Sequence, residues 1–232
     1  MGSWSATNRP QVHRIAARRD CSSSLFTPRR KKKIEIELND YHRYLRNLSF
    51  DFPKEIPPLG VSPAHGIASA GGSQGPTYYS SLVIPEDGLD TPGILWTIYS
   101  LYTFDRILVW PNAWNPVSRT EADNDEVAAW IYSCYYPASF SGKPVCDNSA
   151  PGHKWVDAMW DVRQKYGQEY ADPLMCYTLK MWRDIPSKYA DNFDRFFRYK
   201  LVAGETVKDN SADRHRELDE IFKQHEIDVT QP

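Results

Sequence analysis

A mainly α-helical body, either a bundle or an array of helix hairpins, is what this sequence predicts, extended by a long Pro/Gly segment and a basic N-terminal arm. Three observations carry that expectation. Beyond residue 92, apolar residues recur at helical spacing, and turn-forming residues punctuate the runs. Between residues 49 and 92, seven prolines break any helix, with Gly66, Gly71, Gly72, Gly75 and Gly88 among them. Over residues 1–33, nine Lys/Arg stand against the single acid Asp20, a net charge of +8. The remaining chain holds nineteen bases and twenty-nine acids, a net of −10.

The 232 residues suffice to bury a core without metal or disulfide. Charged residues at 25% and hydrophobic ones at 41% exclude wholesale disorder. Four segments follow from the pattern: a basic arm or transit-like start over 1–33, a short helix within 34–48, an extended segment over 49–92 and a helical domain over 93–232.

Taken in order, Ile34, Ile36 and Leu38 alternate, then Leu38, Tyr41, Leu45 and Leu48 take helical spacing, which predicts a helix over about 40–48. In the Pro/Gly segment only Thr77 to Ile84 reads as a short strand. Thr91 and Pro92 open an apolar helix over 93–110, stopped by Pro111. Its eighteen residues barely match a membrane span, and Thr97, Ser100, Thr103, Asp105 and Arg106 favour a buried central helix instead. Thr120 and Asp123 resemble a capping box for a helix that buries Val127, Trp130, Ile131 and Cys134 and ends before Pro137. Pro151 opens the next, with Trp155, Met159, Val162 and Tyr166 on one stripe and Gly167 as its stop. Asp172-Pro173 caps a helix carrying Leu174, Tyr177, Met181 and Trp182. Pro186 begins another, with Tyr189, Phe193, Phe196, Phe197 and Leu201, ended at Gly204, and Ser211 caps the last, with Leu218, Ile221 and Phe222.

Motifs for chemistry fail their context. Gly71-Gly72-Ser73-Gln74-Gly75 has the spacing of a nucleophile elbow, but that chemistry needs a strand before the serine and a helix after it, and Pro76 follows here. Asp123-Asn124-Asp125-Glu126 is similar to the acidic Mg²⁺ motif of class I terpene cyclases. The second motif is absent, and acids at a helix start serve the macrodipole. The histidines show no H-E-x-x-H pair, and His215 and His225 are expected at the surface. Cys21, Cys134, Cys146 and Cys176 match no zinc or disulfide framework, so reduced thiols are expected, with Cys134 and Cys176 inert in the core. Tyr189, Phe193, Phe196 and Phe197 with Arg195, Arg198 and Lys200 read as a core face with a basic rim rather than a nucleic-acid stacking face. No catalytic residue, cofactor or metal is expected.

The expected role is therefore a non-catalytic accessory subunit of a large assembly. Arg14, Arg18, Arg19, Arg29, Arg30, Lys31, Lys32 and Lys33 are the partner-binding candidates. The Arg/Ser-rich, acid-poor start has the composition of an organelle transit peptide, which points to a mitochondrion. Pro10 interrupts its weak amphipathicity, and Arg29–Lys33 also reads as a nuclear localisation cluster or a phosphate-neutralising arm. An acidic body favours a respiratory-chain or ATP synthase complex, at the inner membrane or in the matrix, with other protein subunits as partners and lipid contact open. The alternatives are a mitochondrial ribosomal protein whose arm touches RNA, and a small helical enzyme.

Overall fold

Lys, Arg and Glu are good helix formers, and proline is well placed at a first helical position. In the computed structural model, helix α1 accordingly starts at Pro28 and runs to Asn47, twelve residues earlier than the apolar spacing alone suggests. The run Arg29–Lys33 thus forms its first turns. Ile34, Leu38, Tyr41 and Leu45 make one buried stripe, whereas Ile36, in between, faces out. Burying each large apolar side chain contributes about 1.5–3 kcal/mol, which attaches α1 to the body.

The structure describes residues 28–48, 59–62, 69–71, 81–85, 92–108, 119–143, 146, 152–182, 189, 191–209 and 211–230. Within the Pro/Gly segment these include three short strands rather than the single one expected. They are β1 (Leu59–Ser62), β2 (Ser69–Gly71) and β3 (Ser81–Pro85). β3 is central, pairing parallel with β1 (Leu59 opposite Leu82) and antiparallel with β2 (Ala70 opposite Leu82). β3 overlaps the expected Thr77–Ile84 strand, whereas β1 and β2, of four and three residues, are too brief to show a period-two pattern.

The body is helical, as the pattern predicts. α2 (Pro92–Leu108) buries Leu95, Ile98, Tyr99, Tyr102, Phe104 and Leu108. Among the described residues no helix is long and apolar enough to cross a membrane. α2 packs mainly along α3 (Arg119–Ser141), and strands β2 and β3 lie beside α2. α3 does not stop before Pro137 but continues four residues beyond it. A mid-helix proline removes one amide donor. The helix persists because residues 131–139 are buried on every side, and Phe104 stacks on Tyr132 and Tyr136 at 5.2 and 5.4 Å.

α4 (His153–Tyr166) buries Trp155, Val156, Ala158, Met159 and Val162, while Tyr166 is half-buried. A single residue, Gly167, joins it to α5 (Gln168–Lys180). At φ +87° this glycine adopts a backbone that other residues avoid, so the expected stop holds. α5 begins four residues before the expected Asp172 cap and carries Pro173 inside. Asp172 is needed elsewhere, as described below. α6 (Phe193–Lys208) is capped by Asn192, whose Oδ1 accepts from Arg195 N at 3.1 Å, rather than opened by Pro186, which lies outside the described residues. α7 (Ala212–Gln224) is capped by Ser211 as expected.

Gly204 was expected to end α6, yet the helix passes through it. Its role is close approach. A Cβ there would lie 2.7 Å from Thr178 N and 2.8 Å from Thr178 Cα, both backbone atoms of α5. Backbone cannot move aside as a flexible side chain can. Gly204→Ala must therefore separate α5 from α6, at about 1–3 kcal/mol or more. A chemical-denaturation midpoint that falls accordingly checks this; an unchanged midpoint would show that the two helices slide freely.

Candidate functional site

The candidate partner-binding bases divide between two regions. Arg14, Arg18 and Arg19 lie outside the described residues. Arg29, Arg30, Lys31, Lys32 and Lys33 occupy the first turns of α1, where Arg29, Lys32 and Lys33 are exposed. Further along the same helix Arg43 and Arg46 are exposed too. The sequence reading ended the basic region at Lys33 and missed them. The signal was available, since 29, 32, 36 and 43 fall on one face of a continuous helix and 46 at its edge. Lys33 lies 3.8 Å from Glu37, and Arg43 lies 3.3 Å from Asp40.

The inner face of α1 is fixed by two hydrogen bonds to α2. Tyr41 Oη and Ser100 Oγ are 2.5 Å apart, and His42 Nδ1 lies 2.6 Å from Tyr99 Oη. Burial, reinforced by Arg46, lowers the pKa of His42 below its usual 6.5. Burial raises Tyr99 to about 12. The neutral imidazole and the protonated Tyr99 hydroxyl thus share one hydrogen bond. Because the folded state disfavours the imidazolium, this contribution to stability is complete above pH 6.5 and is lost as pH falls from 6.5 through the folded-state pKa. His42→Gln should flatten that acid limb in a stability-versus-pH series. An unchanged limb would place the titrating group elsewhere.

Other charged groups turn inward. Asp172 is 1% exposed and sits among donors from three helices. It accepts from Tyr135 Oη at 2.8 Å, Tyr44 Oη at 3.0 Å and Gln168 Nε2 at 3.0 Å. Ser139 Oγ lies 2.8 and 2.7 Å from its two oxygens, and Arg163 Nε lies 4.0 Å away. Burial, then the carboxylate itself, pushes the Tyr44 and Tyr135 hydroxyls well above their ordinary value, so they stay protonated donors. Tyr135 and Ser139, four apart on α3, were the overlooked signal for this hub.

A second buried carboxylate, Glu205 on α6, accepts from Tyr170 Oη at 3.2 Å and lies 2.9 Å from His215 Nε2. His215 is therefore part of a helix contact and not simply a surface residue, and His225 likewise reaches Asp161 at 2.8 Å. The Arg214 guanidinium stacks 4.2 Å from the Tyr166 ring centre, and the Lys208 ammonium 4.1 Å from that of Tyr170.

The acidic run at the start of α3 separates by burial. Asp123 and Glu126 are exposed, whereas Asp125 is 1% exposed and accepts from Trp182 Nε1 at 2.7 Å. Among the described residues no group of His, Cys, Asp and Glu is arranged to hold a metal ion. The aromatic face of α6 is core, as expected: Phe196 and Phe197 are buried. Its bases are engaged within the fold, Arg198 with Asp219, Arg195 with Asp228 and Lys200 Nζ with the Trp182 carbonyl. Ser73 lies outside the described residues.

The thiols correct the sequence reading. Cys134 and Cys146 form a disulfide, with Cα atoms 5.6 Å apart. Their spacing matches no known framework, but the turn after α3 brings Cys146 back beside the helix, which a sequence cannot show. Cys176 is a buried free thiol, as expected; it donates to Leu48 O at 2.9 Å, and burial raises its pKa to about 11. No family model, curated protein or solved structure matches this chain.

Proposed function

We propose that this chain is a structural subunit of a larger protein assembly, in which the helical body packs and the α1 face and the arm before it make contacts. The observation that carries this reading is the division of charge. Asp172, Glu205, Arg198 and Lys200 are tied into contacts within the fold, while Arg29, Lys32, Lys33, Arg43 and Arg46 are exposed on a helix that its other face anchors. Buried closed networks rigidify a scaffold. Exposed charge on a rigid element steers and selects a partner.

The Arg/Ser-rich start favours a mitochondrial setting, with a respiratory-chain or ATP synthase complex as the host. The Cys134–Cys146 disulfide favours its intermembrane-space side over the reducing matrix. The competing ribosomal reading needs bases that neutralise phosphate. The bases of α6 are engaged in internal contacts, so the aromatic face of α6 does not serve that role.

Nuclease treatment of a mild detergent extract tests the choice. RNA digestion should leave the tagged full chain in its high-mass fraction. Release by nuclease would make the ribosomal reading the correct one.

A further inference from the structure

The outward face of α1 has more specific chemistry than a basic patch. Ile36 is 51% exposed, one of the few large apolar side chains so exposed among the described residues. It lies between Arg29, Lys32 and Lys33 on one side and Arg43 and Arg46 on the other. At 1.5 Å per residue, Lys32 and Arg43 stand about 16 Å apart along the axis. A groove of about 740 Å³ lies along the C-terminal part of this face, with Ile36, Asn39, Asp40, Arg43 and Arg46 in its lining.

We propose that this face docks an acidic segment of a partner protein, which seats an apolar side chain on Ile36 between two acidic positions. This rests on the assembly reading above and names its contact. Three features select a protein over a phosphate backbone or an anionic lipid surface. Acids are interspersed: Asp40 lies beside Arg43 and Glu37 beside Lys33. A uniform sheet of negative charge would meet these acids, whereas discrete carboxylates can avoid them. The apolar residue is at the centre and the charge at the rim, as in protein interfaces. No described exposed residue of this face is aromatic, so bases have nothing to stack on.

The test places a photo-crosslinking benzoylphenylalanine at position 36 of the full chain, expressed in its native cells. The expected product is an adduct with one protein, through a peptide that carries acids on both sides of an apolar residue. Lys32→Glu with Arg43→Glu should lower the yield at least about tenfold. The isolated double variant should keep its melting temperature, because both side chains are exposed. An adduct with RNA, lipid or this same chain overturns the proposal. So does a peptide without acids, no adduct at all, or a yield insensitive to the charge reversal. If the adduct is missing while the chain still migrates at high mass, the docking surface is wrong and the assembly reading stands. Migration as a monomer removes the assembly reading itself.

Discussion

Asp172→Ala should destabilise the fold by about 3–5 kcal/mol, among the largest effects of any single polar substitution in this chain. The carboxylate is buried and satisfies hydroxyls of Tyr44 on α1, Tyr135 and Ser139 on α3, and the amide of Gln168 on α5. Truncation leaves those donors in a dry interior, where each unsatisfied group costs about 1–3 kcal/mol before relaxation. It also removes the anion 4.0 Å from the Arg163 guanidinium, which keeps its bond to Gln168 Oε1 at 2.9 Å. Asp172→Asn keeps one acceptor oxygen but turns a donor amide toward donors, so it should cost about 1–3 kcal/mol. Urea denaturation checks both, read as a lower midpoint at constant slope. A loss below 1 kcal/mol for the alanine variant would show that water enters and that Asp172 is not the joint between α1, α3 and α5.

Trp155→Ala should cost about 3–5 kcal/mol for a different reason. Its indole is fully buried, with ring centres 4.8 Å from Phe197 on α6 and 5.0 Å from Phe222 on α7. Its Nε1 donates to Asp194 Oδ1 at 3.1 Å, at the first turn of α6. The substitution opens a cavity where three helices meet and removes a partner from Asp194, which Lys154 still holds at 2.5 Å. Trp155→Phe restores most of the volume without the N–H. It should recover more than half of the loss, which separates the packing contribution from the hydrogen bond. A cost within a few tenths of a kcal/mol for Trp155→Ala would place this stripe on the surface, where a partner covers it.

The helical body was legible because its signal is periodic. Trp155, Met159 and Val162 recur at helical spacing and are buried together. Ser211 caps as its side chain dictates. The misplaced helix ends from α3 onward share one cause. Pro137 and Gly204 have a local meaning as stops and Asp172-Pro173 as a start, and tertiary packing overrides it. Pro137 and Pro173 remain inside helices that neighbours enclose, and Gly204 permits contact with the Thr178 backbone. The candidate surface was half legible. The run Arg29–Lys33 is plain in the sequence, but its union with Ile36, Arg43 and Arg46 depends on the helix reaching back to Pro28. The Asp172 hub and the Cys134–Cys146 bond join residues whose proximity only folding creates.

The central claim is that this chain works within an assembly, and its native mass tests that most directly. The tagged chain, at its natural level in a mild detergent extract, should migrate as one discrete species far above its own 26.8 kDa. Reversing Lys32 and Arg43 to glutamate should shift it toward the monomer. A wild-type chain that migrates at its own mass under the same conditions would contradict the account.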